Sequence, residues 1–171
     1  MGSHASTDPV GLAVGCLRRV VRALRESSHE AERKVGISGA QLFVLHELAS
    51  SPGGSVSELA RRTLTHQSSV SVVVQRLVDA GLVARTPSSS DRRTNLLTLT
   101  ARGRALLDRA PPLAQERLIE AVRSLSRDGR RQLASRLQEV VGRMGLPEGE
   151  APMFFEERRP RAQPGRADAR R

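Results

Sequence analysis

The sequence predicts a mainly α-helical fold with a small β-wing. Apolar residues recur at helical spacing near both chain ends, where they form stripes along one side of each predicted helix. Two short predicted strands, residues 82–86 and 95–99, enclose a polar loop in the middle of the chain. Phe43, Phe154 and Phe155 are the only aromatic residues, so the core must consist of Leu, Val and Ala, which suits helices.

The first helix is predicted from about Pro9 to Ala31, and Gly36 ends this region. Its apolar stripe consists of Val10, Val14, Leu17, Val21 and Leu24. Ser38 is expected to cap a second helix, Gly39 to Ala49, with Leu42, Leu45 and Leu48 inside. A turn at Pro52-Gly53-Gly54 separates it from a short third helix, which starts at Ser55 or Ser57 and ends near Arg62.

A fourth helix is predicted with Thr65 as its N-cap and Gly81 at its end. Its inward residues are Val70, Val73, Val74 and Leu77. Strands Leu82–Thr86 and Asn95–Leu99 follow, joined by a polar loop that contains Asp91-Arg92-Arg93. Crossed helices followed by a β-ribbon with a basic tip fit a DNA major groove together with a neighbouring groove. The central segment therefore predicts a winged helix-turn-helix lobe.

Thr100 is predicted to cap a long helix, with a kink or restart at Pro111 and Pro112, and Ser126 to cap a last helix. The last stripe consists of Leu133, Leu137, Val140, Val141 and Met144. A small winged lobe cannot cover the terminal stripes, so we expect both chain ends to form the dimerisation region of a two-fold homodimer. The alternative is an all-helical monomer whose stripes close on each other.

The resulting domain prediction has five parts. They are residues 1–8, a disordered N-terminus or tag remnant; 9–36, dimerisation helix 1; 37–100, the DNA-binding lobe; 101–146, further dimerisation helices; and 147–171, a mostly disordered Arg/Pro-rich tail with Met153-Phe154-Phe155 as a docking point.

Composition narrows the functional class. The net charge of +10 favours a polyanionic partner, because each neutralised phosphate releases counterions. The sequence has one cysteine, no apolar run of the ~18 residues that span a membrane, and no signal-peptide pattern, so we expect a cytoplasmic protein without a membrane partner. His4, His29, His46 and His66 are scattered, and no catalytic motif is present. We therefore expect no metal, no cofactor and no enzymatic activity.

The outer face of the fourth helix is the predicted recognition surface. Gln67, Ser71 and Gln75 recur every four residues, and Ser68, Ser69 and Val72 lie beside them. Glutamine can bond an adenine edge twice, and a serine near a helix N-terminus can donate to phosphate.

The loop between the strands is the second predicted contact. Asp91 can brace an arginine of its own loop, which leaves Arg92 or Arg93 to enter a narrow minor groove.

With these elements in order, the chain resembles the MarR family of winged-helix transcriptional regulators. The matching residues are Ile37-Ser38, Gln41-Leu42, Leu45, Ser57-Glu58-Leu59-Ala60, Gln67-Ser68-Ser69-Val70-Ser71, Arg76-Leu77-Val78, Gly81-Leu82-Val83, Asp91-Arg92-Arg93, Leu97-Thr98-Leu99-Thr100 and Gly103. The resemblance implies a homodimeric repressor on a pseudo-palindromic double-stranded operator. Two departures from the family pattern are Val72, where many members carry a basic residue, and Ser88-Ser89-Ser90 in the wing.

The resemblance further implies a small effector, a lipophilic or aromatic acid, that releases DNA. Candidate ligand-binding residues are Arg18, Arg22, Phe43 and His46. Cys16 matches in position the cysteine of the peroxide-sensing branch, but the chain lacks that branch's tyrosines, so we expect a small buried core residue. The alternatives are an oxidant sensor that acts through Cys16 and a protein-binding regulator without DNA affinity.

Overall fold

The computed structural model describes residues 8–87, 95–147 and 152–155. Within these ranges the chain forms seven helices and one two-stranded sheet. Their bounds are α1 Pro9–Val35, α2 Gly39–Ser50, α3 Val56–Arg62, α4 Gln67–Asp79, β1 Val83–Pro87, β2 Asn95–Leu99, α5 Ala101–Leu107, α6 Ala114–Ser124 and α7 Arg127–Arg143. The predicted mainly helical fold with a small wing is confirmed.

Helix α1 is longer than predicted. The Asp8 carboxylate caps it by accepting from the backbone N–H groups of Val10 and Gly11, at 3.2 and 3.0 Å. The helix continues past Ala31 because no helix-breaking residue occurs before Gly36. Gly36 ends it in the left-handed conformation, with φ of 73°.

The core of the winged lobe is built around α2. A capping box of Ser38 and Gln41 starts this helix, as predicted for Ser38. Leu42, Leu45 and Leu48 are buried as predicted, and Phe43 and Val44 are buried beside them. Because α2 is apolar on nearly all sides, it contacts α1, α3, α4, α5 and β2. The remaining elements of the lobe pack around it.

The start of α4 corrects one prediction. His66, not Thr65, occupies the N-cap position, and its side chain makes no capping bond. The Thr65 hydroxyl instead donates to the carbonyl of Thr63, at 3.1 Å, inside the turn that follows α3. The inward residues Val70, Val73, Val74 and Leu77 are buried as predicted. Gly81, with φ of 68°, follows the C-cap.

The two strands pair antiparallel, with Val83 opposite Leu99, Arg85 opposite Leu97 and Pro87 opposite Asn95. Strand β1 starts and ends one residue later than predicted. The free edge of β2 pairs with the α2–α3 turn, because Gly53 donates to the Leu97 carbonyl and Leu97 donates to that of Gly54, at 3.1 and 3.0 Å. The inner end of the wing is thereby fixed to the helical body.

The long helix predicted after Thr100 is two helices. Thr100 caps α5 by accepting from Gly103, at 3.0 Å. Helix α5 ends at Leu107 and α6 begins at Ala114, so Pro111 and Pro112 separate the helices rather than kink one of them. Ser126 caps α7 as predicted.

The terminal stripes do not close on each other within one chain. Exposed apolar residues on α1 and α7 are Val10, Leu12, Val14, Leu17, Val20, Val21, Leu137, Val140 and Val141. Helix α7 buries no residue. This arrangement disfavours the all-helical monomer, since such contiguous apolar surface marks an interface. None of the helices in the described ranges combines the length and apolarity needed to cross a membrane.

Gly103 generates a stability prediction. A Cβ at this position would collide with the backbone carbonyl of Leu82, whose oxygen also accepts from the Thr100 N–H at 3.1 Å. We expect Gly103→Ala to lower the free energy of unfolding by about 3 kcal/mol, because backbone must move. Gly142→Ala is the matched control. Its Cβ meets nothing within 4 Å, and alanine favours helix by about 1 kcal/mol. Urea unfolding followed by circular dichroism measures both, and equal stabilities would contradict the proposed collision.

Candidate nucleic-acid interface

The outer face of α4 is polar and exposed. Gln67, Ser68, Ser71 and Gln75 are exposed, and Val72 is 44% exposed although it is apolar. This face lies opposite the buried stripe because the residues that carry it fall between the inward positions at 3.6 residues per turn. Five of the six predicted recognition residues therefore share one accessible surface. The sixth, Ser69, is half-buried.

These side chains differ in how strongly they are held. The Gln75 amide donates to the Asp79 carboxylate one turn later, at 2.7 Å. Gln67 and Ser71 instead line an open recess beside the wing. Gln67 and Ser71 are thus accessible from this recess, whereas Gln75 is restrained within its own helix.

The recess measures about 290 Å³ and joins three elements. Its lining residues are Ser55, Val56, Ser57, Gln67, Ser71, Arg85 and Asn95. Sequence reasoning missed Arg85 and Asn95. Alternation along β1 could have placed Arg85 on the same side as the buried Val83, but only the pairing register shows that Asn95 lies beside it.

The second predicted DNA contact is the loop at the tip of the wing. Asp91, Arg92 and Arg93 lie outside the described residues. The strands that precede and follow them pair out to Pro87 and Asn95.

Ion pairs near α3 hold the lobe together. The Arg62 guanidinium lies 3.3 Å from the Glu47 carboxylate and donates to the Ser51 carbonyl at 3.1 Å, which joins α3 to α2. Glu58 accepts from the Ser55 backbone N–H at 2.8 Å, and this bond holds the pKa of the Glu58 carboxyl below its ordinary value. Both groups stabilise the fold, and we assign neither to DNA contact.

The four candidate effector residues lie along different cavities. Arg18 and Arg22 line a groove on the exposed face of α1, and Arg22 is paired with Glu26 at 2.7 Å. Phe43 lines a cavity of about 480 Å³ between α2 and α6. His46 lines another of about 500 Å³ bounded by α2, β2 and α5.

A polar contact between His46 and Glu116 connects α2 to α6. The His46 Nδ1 atom lies 3.2 Å from a Glu116 carboxylate oxygen, and the His46 Nε2 atom is buried without a hydrogen-bond partner among the described residues. The pKa of the Glu116 carboxyl is raised above its ordinary value, chiefly because burial penalises the charged form; nearby Glu47 adds to the rise and His46 opposes it. This half-buried contact joins the winged lobe to the helices that follow it.

Cys16 corrects a second prediction. Its side chain is exposed on α1 rather than buried in the core of the chain, and Arg19 lies 3.3 Å from its sulfur. No cluster of three or more His, Cys, Asp or Glu side chains suited to a metal occurs within the described ranges.

Sequence comparison matches this chain to one family model and to known transcriptional repressors. A model described as MarR family matches residues 35–94. The HTH-type transcriptional repressor Rv2887 of Mycobacterium tuberculosis is 42% identical over 94 residues, which cover 55% of this chain and 68% of that protein. The HTH-type transcriptional repressor MdtR of Bacillus subtilis is 36% identical over 87 residues, which cover 51% of this chain and 56% of MdtR.

Two solved structures extend the similarity over most of the chain. The transcriptional repressor CouR, bound to a 23-mer DNA duplex, is 32% identical with a TM-score of 0.54, and the match covers 76% of this chain and 92% of CouR. BpsR of Bordetella bronchiseptica, whose DNA binding is regulated by 6-hydroxynicotinic acid, is 25% identical with a TM-score of 0.52, and the match covers 82% and 97%.

Proposed function

Because this chain belongs to the MarR family, we propose that it is a transcriptional repressor that binds a pseudo-palindromic DNA operator as a homodimer and is released by a small molecule. DNA binding rests on one observation above all. The exposed face of α4 carries hydrogen-bonding side chains and lies beside a basic wing, while its opposite face is buried in the core. The solved DNA complex of CouR supports the same use of this fold.

The apolar stripes of α1 and α7 support the homodimer. Each protomer leaves these stripes uncovered, and a second copy would cover them with the same surface. A two-fold dimer carries two α4 helices. If these are spaced by about one helical turn, ~34–36 Å, they enter successive major grooves on one side of the duplex.

Base reading is proposed for α4 and minor-groove contact for the wing. Gln67 and Ser71 are exposed and would bond base edges, and the exposed Val72 would touch a thymine methyl. Ser68 would contact the DNA backbone near the N-terminus of α4. Arg92 or Arg93 would enter the minor groove, with Asp91 as a brace.

Effector control is proposed at the junction of the winged lobe and α6. A ligand changes DNA affinity only if it binds one arrangement of the lobes better than the other. The Phe43 cavity and the His46–Glu116 contact both lie between α2 and α6, so a molecule bound there would shift α6 relative to the lobe. The regulation of BpsR by an aromatic acid supports a ligand of that class.

Oxidant sensing is a second candidate, favoured by the exposure of Cys16 and its contact with Arg19. The chain contains no tyrosine to hold a thiolate, which favours the small-molecule effector.

The recognition face generates the first functional prediction. We expect Ser71→Glu to weaken binding to a duplex at least a hundredfold. A carboxylate on this face would repel the phosphates, and it would lose its hydration against the bases. The parent protein is first screened against genomic fragments by mobility shift. The parent and the variants are then titrated with a fragment that the parent binds. Gln138→Glu adds the same charge on the exposed surface of α7 and is expected to bind nearly as the parent does. Parent-like binding by Ser71→Glu, with an unchanged melting temperature, would exclude α4 as the recognition helix.

The effector class can be tested on the same complex. We expect an aromatic acid, with 6-hydroxynicotinic acid and benzoate as probes, to release DNA from the parent and from Cys16→Ser alike, since the α2–α6 junction is intact in both. Peroxide is expected to release neither. Release by peroxide from the parent alone would replace the small-molecule proposal with thiol-based sensing.

A further inference from the structure

The outer half of the β1–β2 ladder carries two polar side chains, Arg85 and Asn95, on a sheet face whose inner half is buried. Directly paired residues project to the same face, so Val83 and Leu99 share one face with Arg85 and Leu97, and with Asn95. Val83, Leu97 and Leu99 are buried in the core, whereas Arg85 and Asn95 are exposed. The face thus changes from apolar to polar where the sheet extends beyond the helical body.

Register also places the two side chains close together. Arg85 lies opposite Leu97, and Asn95 is two residues before Leu97, which makes Arg85 and Asn95 diagonal neighbours. Diagonal neighbours on one face have Cα atoms about 7–8 Å apart. At this separation, a long side chain and its neighbour can both contact one tetrahedral anion. Neither side chain hydrogen-bonds or pairs with a described residue.

The opposite walls of the recess are fixed by backbone bonds. The pairing of Gly53 and Gly54 with Leu97 sets the α2–α3 turn against β2, and this brings Ser57 to the recess. The packing of α4 on the core brings Gln67 and Ser71 to the other side. Donors from a guanidinium, two amides and hydroxyls therefore surround a space of about 290 Å³, and its lining residues include no carboxylate.

We propose that this wing-foot recess, lined by Ser57, Gln67, Ser71, Arg85 and Asn95, binds one backbone phosphate of the DNA duplex on its wing side, through Arg85 and Asn95, while Gln67 and Ser71 on its α4 side face the bases. The proposal rests on the DNA-binding function above. The Arg85 guanidinium supplies the charge and a planar fork that fits phosphate oxygens, and the Asn95 amide donates beside it. A phosphate held between α4 and the wing fixes the depth of both in their grooves without reading sequence.

Salt dependence tests the site, because each neutralised phosphate releases counterions. In mobility-shift or anisotropy titrations at several chloride concentrations, the logarithm of affinity falls with the logarithm of salt by about 0.9 per phosphate contact. We expect Arg85→Ala to reduce this slope by about 0.9 for each recess engaged, about 1.8 for a dimer, and to weaken binding about tenfold or more. The loss should be the same on specific and unrelated duplexes.

Matched variants separate this site from a general effect of charge. Arg127→Ala removes one exposed arginine from α7 and is expected to leave the slope nearly unchanged. Arg85→Lys keeps the charge, and we expect it to retain the slope while losing part of the affinity. A duplex scanned with single uncharged methylphosphonate linkages should contain one position per half-site that weakens the parent but not Arg85→Ala.

Each outcome has a distinct meaning. If the parent binds a duplex and Arg85→Ala keeps the full salt slope, the phosphate site is contradicted, but the proposed DNA-binding function is not. An altered base preference with an unchanged slope would assign Arg85 to base reading and also overturn the proposal. If inorganic phosphate at equal ionic strength displaces DNA from the parent but not from Arg85→Ala, phosphate and the duplex compete for the recess, which supports the proposal. A parent with no duplex affinity at low salt contradicts both this proposal and the proposed function.

Discussion

The burial of one face of α4 determines what the rest of the molecule presents. Val70, Val73, Val74 and Leu77 are fully or almost fully buried, and their packing on the α2 core fixes the rotation of the helix about its axis. Gln67, Ser71 and Val72 must then face outward, because they lie between the inward positions on a period of 3.6. Rotation of this helix would expose apolar residues to solvent and bury unpaired amides, and both changes cost free energy.

Backbone bonds transmit this orientation to the wing. The α2–α3 turn pairs with Leu97, and Thr100 and Gly103 pack against the Leu82 carbonyl, so the middle of β2 and its C-terminal end are tied to the helical body. Arg85 and Asn95 consequently keep a fixed position relative to α4. The recognition face and the wing-foot recess are therefore positioned by the same core, which suits recognition by phosphate contacts that position a reading helix.

Local sequence rules predicted most elements because their signals are short-range. Ser38, Thr100 and Ser126 cap the helices that they were expected to cap, and the α4 stripe is buried as its spacing indicated. The N-cap of α4 was predicted wrongly because the turn after α3 uses the Thr65 hydroxyl for its own backbone. The polar recess depends on strand register and on a turn distant in sequence, and neither is visible in the spacing of residues. Cys16 was expected to be buried because the chain lacks the tyrosines that hold a reactive thiolate, yet its helix presents that position outward in the protomer.

If the exposed apolar stripes of α1 and α7 form the dimer interface, the dimer carries two α4 helices. Two copies of this chain then bind one duplex. Light scattering coupled to size exclusion, with the bound duplex labelled for absorbance, measures the stoichiometry directly. The expected particle contains two chains and one duplex at low salt, and two chains alone when salt is raised. A single chain in both conditions, with the duplex eluting separately, would contradict the assignment of both the dimer and the DNA-binding face.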